Sequence, residues 1–90
     1  MYIYKKTFGS RMTKIGDDFI INNGNMIYKV NEVAARIFEL CNATNDEHTI
    51  QQKIIQFYQG DEEIVREDIE EFFNTLLKLE LIEKGKKSGR

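Results

Sequence analysis

Few side chains in this sequence have the type and the neighbours that catalysis requires. His48 stands alone beside a polar stretch and reads as a helix-entry residue, with no partner to make it a general base. Cys41 falls on an apolar stripe and has no nearby base, so it reads as a small core residue and not as a nucleophile. Asp17 and Asp18 are adjacent in a turn composition and lack the ligand series of a calcium loop. There is no glycine-rich phosphate cradle and no metal-spaced cluster, so neither a metal nor a cofactor is expected. The chemistry that remains is binding, through main-chain groups and through the strongly acidic stretch from Asp61 to Glu71. That stretch holds seven acids against one base, Arg66. Presented to phosphates it would repel, so nucleic acid is not an expected partner of this segment.

The elements that must position such a binding surface are legible from hydrophobic period. Met26, Tyr28 and Val30 alternate as on a strand. After Asn31 the apolar residues recur three and four apart, as Ala34, Ile37, Phe38 and Cys41. Asn31 sits at the junction and predicts an N-cap, its side-chain oxygen accepting from the first free amides of a helix. Upstream, Arg11 to Ile15 and Phe19 to Asn22 read as strands separated by Gly16-Asp17-Asp18, and Asn23-Gly24 is a hairpin dipeptide. With Asn23-Gly24 as the loop, Ile21 faces Met26 and Phe19 faces Tyr28. These four lie with Val30 on the core side, and Ile20 and Ile27 on the other. Residues 1–10, with Tyr2, Ile3 and Tyr4, form an N-terminal arm or an added strand.

Downstream, Asn42 to Glu47 reads as a polar connection. Thr49 with Gln52 forms a capping box for a second helix carrying Ile50, Ile54, Phe57 and Tyr58, which Gly60 ends. A long third helix begins at the acids Asp61, Glu62 and Glu63 and runs to about Leu79. Its apolar arc is wider than a one-sided helix needs, which either leaves one flank for a ligand or is used whole by a small core. Leu81-Ile82 and a basic tail over 84–90 finish the chain. Ninety residues with one cysteine and a net charge of −2 bound a single domain, with no disulfide and no global attraction to nucleic acid or an anionic membrane. No secretory or membrane-spanning run is present, so a soluble cytoplasmic protein is expected. The fold class predicted is α+β, a three-stranded antiparallel sheet followed by three helices in winged helix-turn-helix order.

That order carries a resemblance. The run Val30-Asn31-Glu32-x-Ala34-Ala35-x-Ile37-x-Glu39-Leu40-Cys41, then Thr49-Ile50, then Asp68-Ile69-x-x-Phe72-Phe73-x-x-Leu76 and Leu81-Ile82, resembles the PqqD family over residues 11–83. The family is named for a pyrroloquinoline quinone biosynthesis protein, and its fold is the recognition element of ribosomally made, modified peptides. The resemblance implies a peptide chaperone and not an enzyme: the leader of a precursor peptide adds as a strand beside the third strand of the sheet and lies against the third helix. It also implies a tailoring partner, a radical S-adenosylmethionine enzyme or a leader peptidase of lasso peptide type. The chain departs from the family pattern twice, with Asn42-Ala43-Thr44-Asn45 where Asp-Gly or a like turn is usual, and with Glu80 where glycine commonly precedes the last apolar pair.

The residues alone point the same way. Met26 to Val30 is the last strand of the predicted meander, so its outer amides and carbonyls are a template for another extended chain unless the N-terminal arm covers them. With the leader between this strand and the third helix, as the resemblance implies, the expected peptide-binding residues are Met26, Ile27, Tyr28, Lys29 and Val30 on the strand, with Val65, Asp68, Ile69 and Phe72 on the third helix. Asp68 would meet a basic or donor group, and Phe73 and Leu77 turn to the core. Two readings compete with a stand-alone leader-binding protein. One is a winged-helix DNA-binding or regulatory domain; the other is a subunit that binds only the partner enzyme.

Overall fold

The structure, a computed structural model, describes residues 2–58 and 60–86. Three antiparallel strands, β2 (Ser10–Ile15), β3 (Asp18–Asn23) and β4 (Met26–Val30), form a meander in that order. The chain passes directly into α1 (Glu32–Leu40) because Asn31 accepts from the Ala34 amide at 2.8 Å, as a cap should. The helices α2 (Glu47–Phe57) and α3 (Glu62–Lys78) complete the expected sheet and three helices.

Pairing in the hairpin is shifted from the expected register. Ile21 lies opposite Tyr28 and Phe19 opposite Val30, because the two-residue loop is Gly24-Asn25 and β3 continues through Asn23. Gly24 takes φ +64, and the loop forms around the residue that tolerates it. A shift of two preserves the faces. Ile21 is fully buried and Tyr28 and Val30 pack beside it, but Met26, now opposite Asn23, is 54% exposed.

A second sheet accompanies the first. Of the two alternatives for the N-terminal segment, the described residues take the added strand: β1 (Tyr2–Lys6) is the central strand of a sheet flanked by β5 (Asn42–Asp46) and β6 (Ile82–Lys86), ordered β5-β1-β6. The polar connection is thus a strand, and so is the start of the basic tail. Residues 87–90 of that tail, like Met1, lie outside the described residues. Neither β5 nor β6 has an apolar alternation of its own, and partner pairing imposes their conformation. This sheet is fastened to the helices by Tyr4, whose ring meets Phe73 of α3 edge-on at 4.5 Å, and by buried Leu81 and Ile82. A corner network joins it to the meander. Thr7 donates its amide to the Leu81 carbonyl at 3.1 Å and its hydroxyl to the Glu80 carbonyl at 2.8 Å, and the Asn23 side chain donates to the same Glu80 carbonyl at 3.3 Å.

The cap of α2 is Asp46, accepting from the Thr49 amide at 2.7 Å, so Thr49 is inside the helix and not at its start. The Asp46 carboxylate takes the Thr49 amide that a capping box would have given to the Gln52 side chain, because negative charge is favoured at a helix N-terminus. His48 is consequently an exposed residue of the first helical turn. Cys41 is fully buried, and desolvation pushes its thiol up to about 12, against a smaller opposing influence from Lys6; it has the character of an inert core residue.

The two departures from the family pattern fall where the backbone is left-handed: Ala43 has φ +72 and Glu80 has φ +61. After α3 the Glu80 amide donates to the Leu77 carbonyl and the Leu81 amide to the Leu76 carbonyl, both at 3.0 Å. This is a Schellman termination, with buried Leu81 and Leu76 supplying its apolar contact and a glutamate at the position glycine favours. The loop geometry is kept at the expense of strain. A Cβ in this conformation costs about 1–2 kcal/mol. Glu80→Gly should therefore stabilise the fold by about 1 kcal/mol, raising the melting temperature by roughly 4–8 °C in a thermal scan.

Candidate peptide-binding groove

The last strand of the meander has one partner. β4 pairs with β3 over five positions, from Asn23–Met26 to Phe19–Val30, and among the described residues no strand lies on its other side. The segment that might have covered it, β1, is engaged between β5 and β6. An outer row of main-chain donors and acceptors therefore faces outward along Met26 to Val30. Of the side chains, Met26 and Ile27 are 54% and 66% exposed. Lys29 is exposed too, its ammonium 3.3 Å from the Asp18 carboxylate. Tyr28 and Val30 are half-buried against the core.

Beside this edge a groove of about 290 Å³ separates the strand from α3. Lys29 and Val30 line it from β4, Asn31 and Ala34 from the entry to α1, and Glu71, Phe72, Thr75, Leu76 and Leu79 from α3 and its C-cap. The positions on α3 recur three and four apart and form one stripe. Leu76 is buried at the bottom of it, Phe72 and Leu79 are half-buried walls, and Glu71 and Thr75 are exposed at the mouth. The Thr75 hydroxyl is already committed to the Glu71 carbonyl at 3.0 Å. The open chemistry is main-chain pairing along the strand, an apolar slot of side-chain size, and a carboxylate at the rim.

The site residues expected on α3 are brought to this groove unequally. Phe72 is on its wall. Val65 and Asp68 are earlier on the same helix and do not line it, Val65 half-buried against the core and Asp68 exposed. Ile69 is fully buried and has no surface to offer a ligand, so its place is beneath the site and not in it. The reason is how α3 crosses the molecule. Its first half packs near α2, where the Arg66 guanidinium donates to the Gln51 side chain at 3.1 Å, and only its second half reaches β4. Glu71, Thr75 and Leu79 were missed. Their spacing from Phe72 at −1, +3 and +7 is the signal that extends the stripe, and it points toward the C-terminus once the helix is known to approach the strand there. Phe73 is 2% exposed and turned to the core, and Leu77 packs half-buried against it.

No group of three or more histidine, cysteine, aspartate or glutamate side chains able to hold a metal occurs among the described residues. None of their helices is long and apolar enough to cross a membrane.

Comparisons with known proteins bear on the family and the fold. A family model described as coenzyme PQQ synthesis protein D (PqqD) matches residues 19–82, which contain β3 but for its first residue, β4 and all three helices. No curated protein matches the chain in sequence. Among solved structures, TbiB1 in complex with the TbiA(beta) leader peptide superposes with a TM-score of 0.71 at 22% identity. The match covers 93% of this chain and 99% of that one, and at that identity it establishes a shared fold.

Proposed function

The chain belongs to the PqqD family, and from that premise we propose that it is a stand-alone recognition element that binds the leader of a ribosomal precursor peptide. The leader adds as a strand along Met26 to Val30 and lays a side chain into the groove against Phe72, Thr75 and Leu79. Bound in this way, the precursor is presented to a tailoring enzyme, either a radical S-adenosylmethionine enzyme or a leader peptidase of the kind found in lasso peptide systems. The protein itself contributes no catalytic group. Its working unit extends beyond residues 11–83 to include β1 and β6, since Tyr4, Leu81 and Ile82 support α3 from behind.

The observation that carries this reading is the unpaired β4 edge beside an apolar groove. Main-chain pairing supplies affinity for any extended chain, and the slot supplies choice among them. Two further facts support it: the family-matched residues contain this edge and groove, and the structure of similar fold holds a leader peptide. The DNA-binding alternative would set the acids of α3 against phosphates.

A titration decides between them. Fluorescence anisotropy with a labelled leader peptide of a candidate precursor should give saturable binding, and labelled duplex DNA should give none at physiological salt. Sub-micromolar DNA affinity that falls steeply with added salt would sink the leader-binding account.

A further inference from the structure

The meander has two edges, and the second also borders a hollow. β2 pairs with β3 alone among the described residues, so the far side of Ser10–Ile15 presents its own row of main-chain groups. Next to it a cavity of about 350 Å³, larger than the β4 groove, opens between the meander and the first two helices. Met12, Phe19, Leu40, Ile54 and Phe57 supply its apolar lining. The surface here is left uncovered: Phe57 is 54% exposed with the Arg36 guanidinium 3.6 Å from its ring centre, and Ile15 is 64% exposed.

We propose that this edge and cavity dock an extended segment of the tailoring enzyme, one carrying carboxylates beside an apolar residue. The inference rests on the leader occupying β4. Charge selects the occupant. β2 carries two bases, Arg11 and Lys14, and no acid, and Lys53 stands on the cavity rim. A second copy pairing edge to edge would gather four bases into one ladder, which repels, whereas a strand bearing acids is attracted. On the α1 rim Glu32, held by Arg36 at 3.0 Å, and Glu39 confine those acids to the β2 side. A leader paired to the outside of β4 lies three strand spacings from β2, roughly 14 Å, so both edges can be filled together.

The test uses the full chain in cells that also make its precursor and tailoring enzyme, with a photo-cross-linking phenylalanine analogue at position 13 of β2 or position 27 of β4. Mass spectrometry then identifies each adduct. Position 13 should capture the tailoring enzyme through an acidic segment, while position 27 captures the precursor. Arg11→Glu combined with Lys14→Glu should reduce the first adduct at least about tenfold and leave leader affinity within about twofold. Adducts from position 13 to the precursor or to a second copy would overturn the inference. So would no adduct at 13 alongside normal capture at 27, and in that case leader binding stands. Loss of capture at 27, together with no leader binding in the titration, would remove the underlying reading and this inference with it.

Discussion

Replacing Phe72 with alanine is expected to weaken leader binding by about 30-fold or more while leaving the protein folded. Phe72 is a half-buried wall of the groove, and a bound strand along β4 would bury the remainder of its ring. Aromatic anchors at the centre of a peptide interface typically contribute more than about 2 kcal/mol, which is roughly 30-fold in affinity. Its fold contribution is smaller because part of the ring already faces water. Loss of about 1 kcal/mol would lower the melting temperature by roughly 4–8 °C. Anisotropy titration and a thermal melt on one preparation separate the two effects.

Phe73, one residue later, should behave in the opposite way. It is 2% exposed, belongs to the main core cluster and meets Tyr4 edge-on at 4.5 Å, so it joins α3 to the centre of the second sheet. Phe73→Ala removes a fully packed ring and should cost about 3–5 kcal/mol. A small domain has only about 5–15 kcal/mol in total, so the variant should melt at least about 12 °C lower or fail to fold. If Phe73→Ala stays folded and loses the leader while Phe72→Ala binds normally, the reading flank of α3 is the opposite one.

Sequence and structure agree where one element's own pattern decides its conformation. The change of period at Asn31 gives both β4 and the start of α1, because a strand repeat and a helical repeat meet there with a capping side chain between them. The faces of the hairpin follow from alternation, but its partners do not. They depend on which residue takes the positive φ, and Gly24 does so as the first loop residue. The second sheet was hardly legible. β5 reads Asn-Ala-Thr-Asn-Asp and β6 ends in Lys-Gly-Lys, and nothing in either favours a strand until β1 lies between them.

The candidate site was legible on β4, since an edge strand follows from order alone. It was only partly legible on α3. Phe72 was identified, whereas Thr75 and Leu79 depend on where a helix of 17 residues crosses the sheet, a tertiary fact that spacing does not encode. Ile69 shows the converse. An apolar residue on the stripe is equally consistent with a groove wall and with the floor beneath it, and only burial distinguishes them. At Glu80 the chain departs from the glycine that the family resemblance implies, and the backbone keeps the left-handed conformation that glycine favours.

Hydrogen exchange of the backbone amides, read residue by residue with and without the leader peptide, tests strand addition most directly. The prediction is that the outward-facing amides within Met26 to Val30 become strongly protected when the leader is bound, with those of Arg11 to Ile15 unchanged. Unaltered exchange along Met26 to Val30 at saturating leader, or protection confined to Arg11 to Ile15, would contradict it.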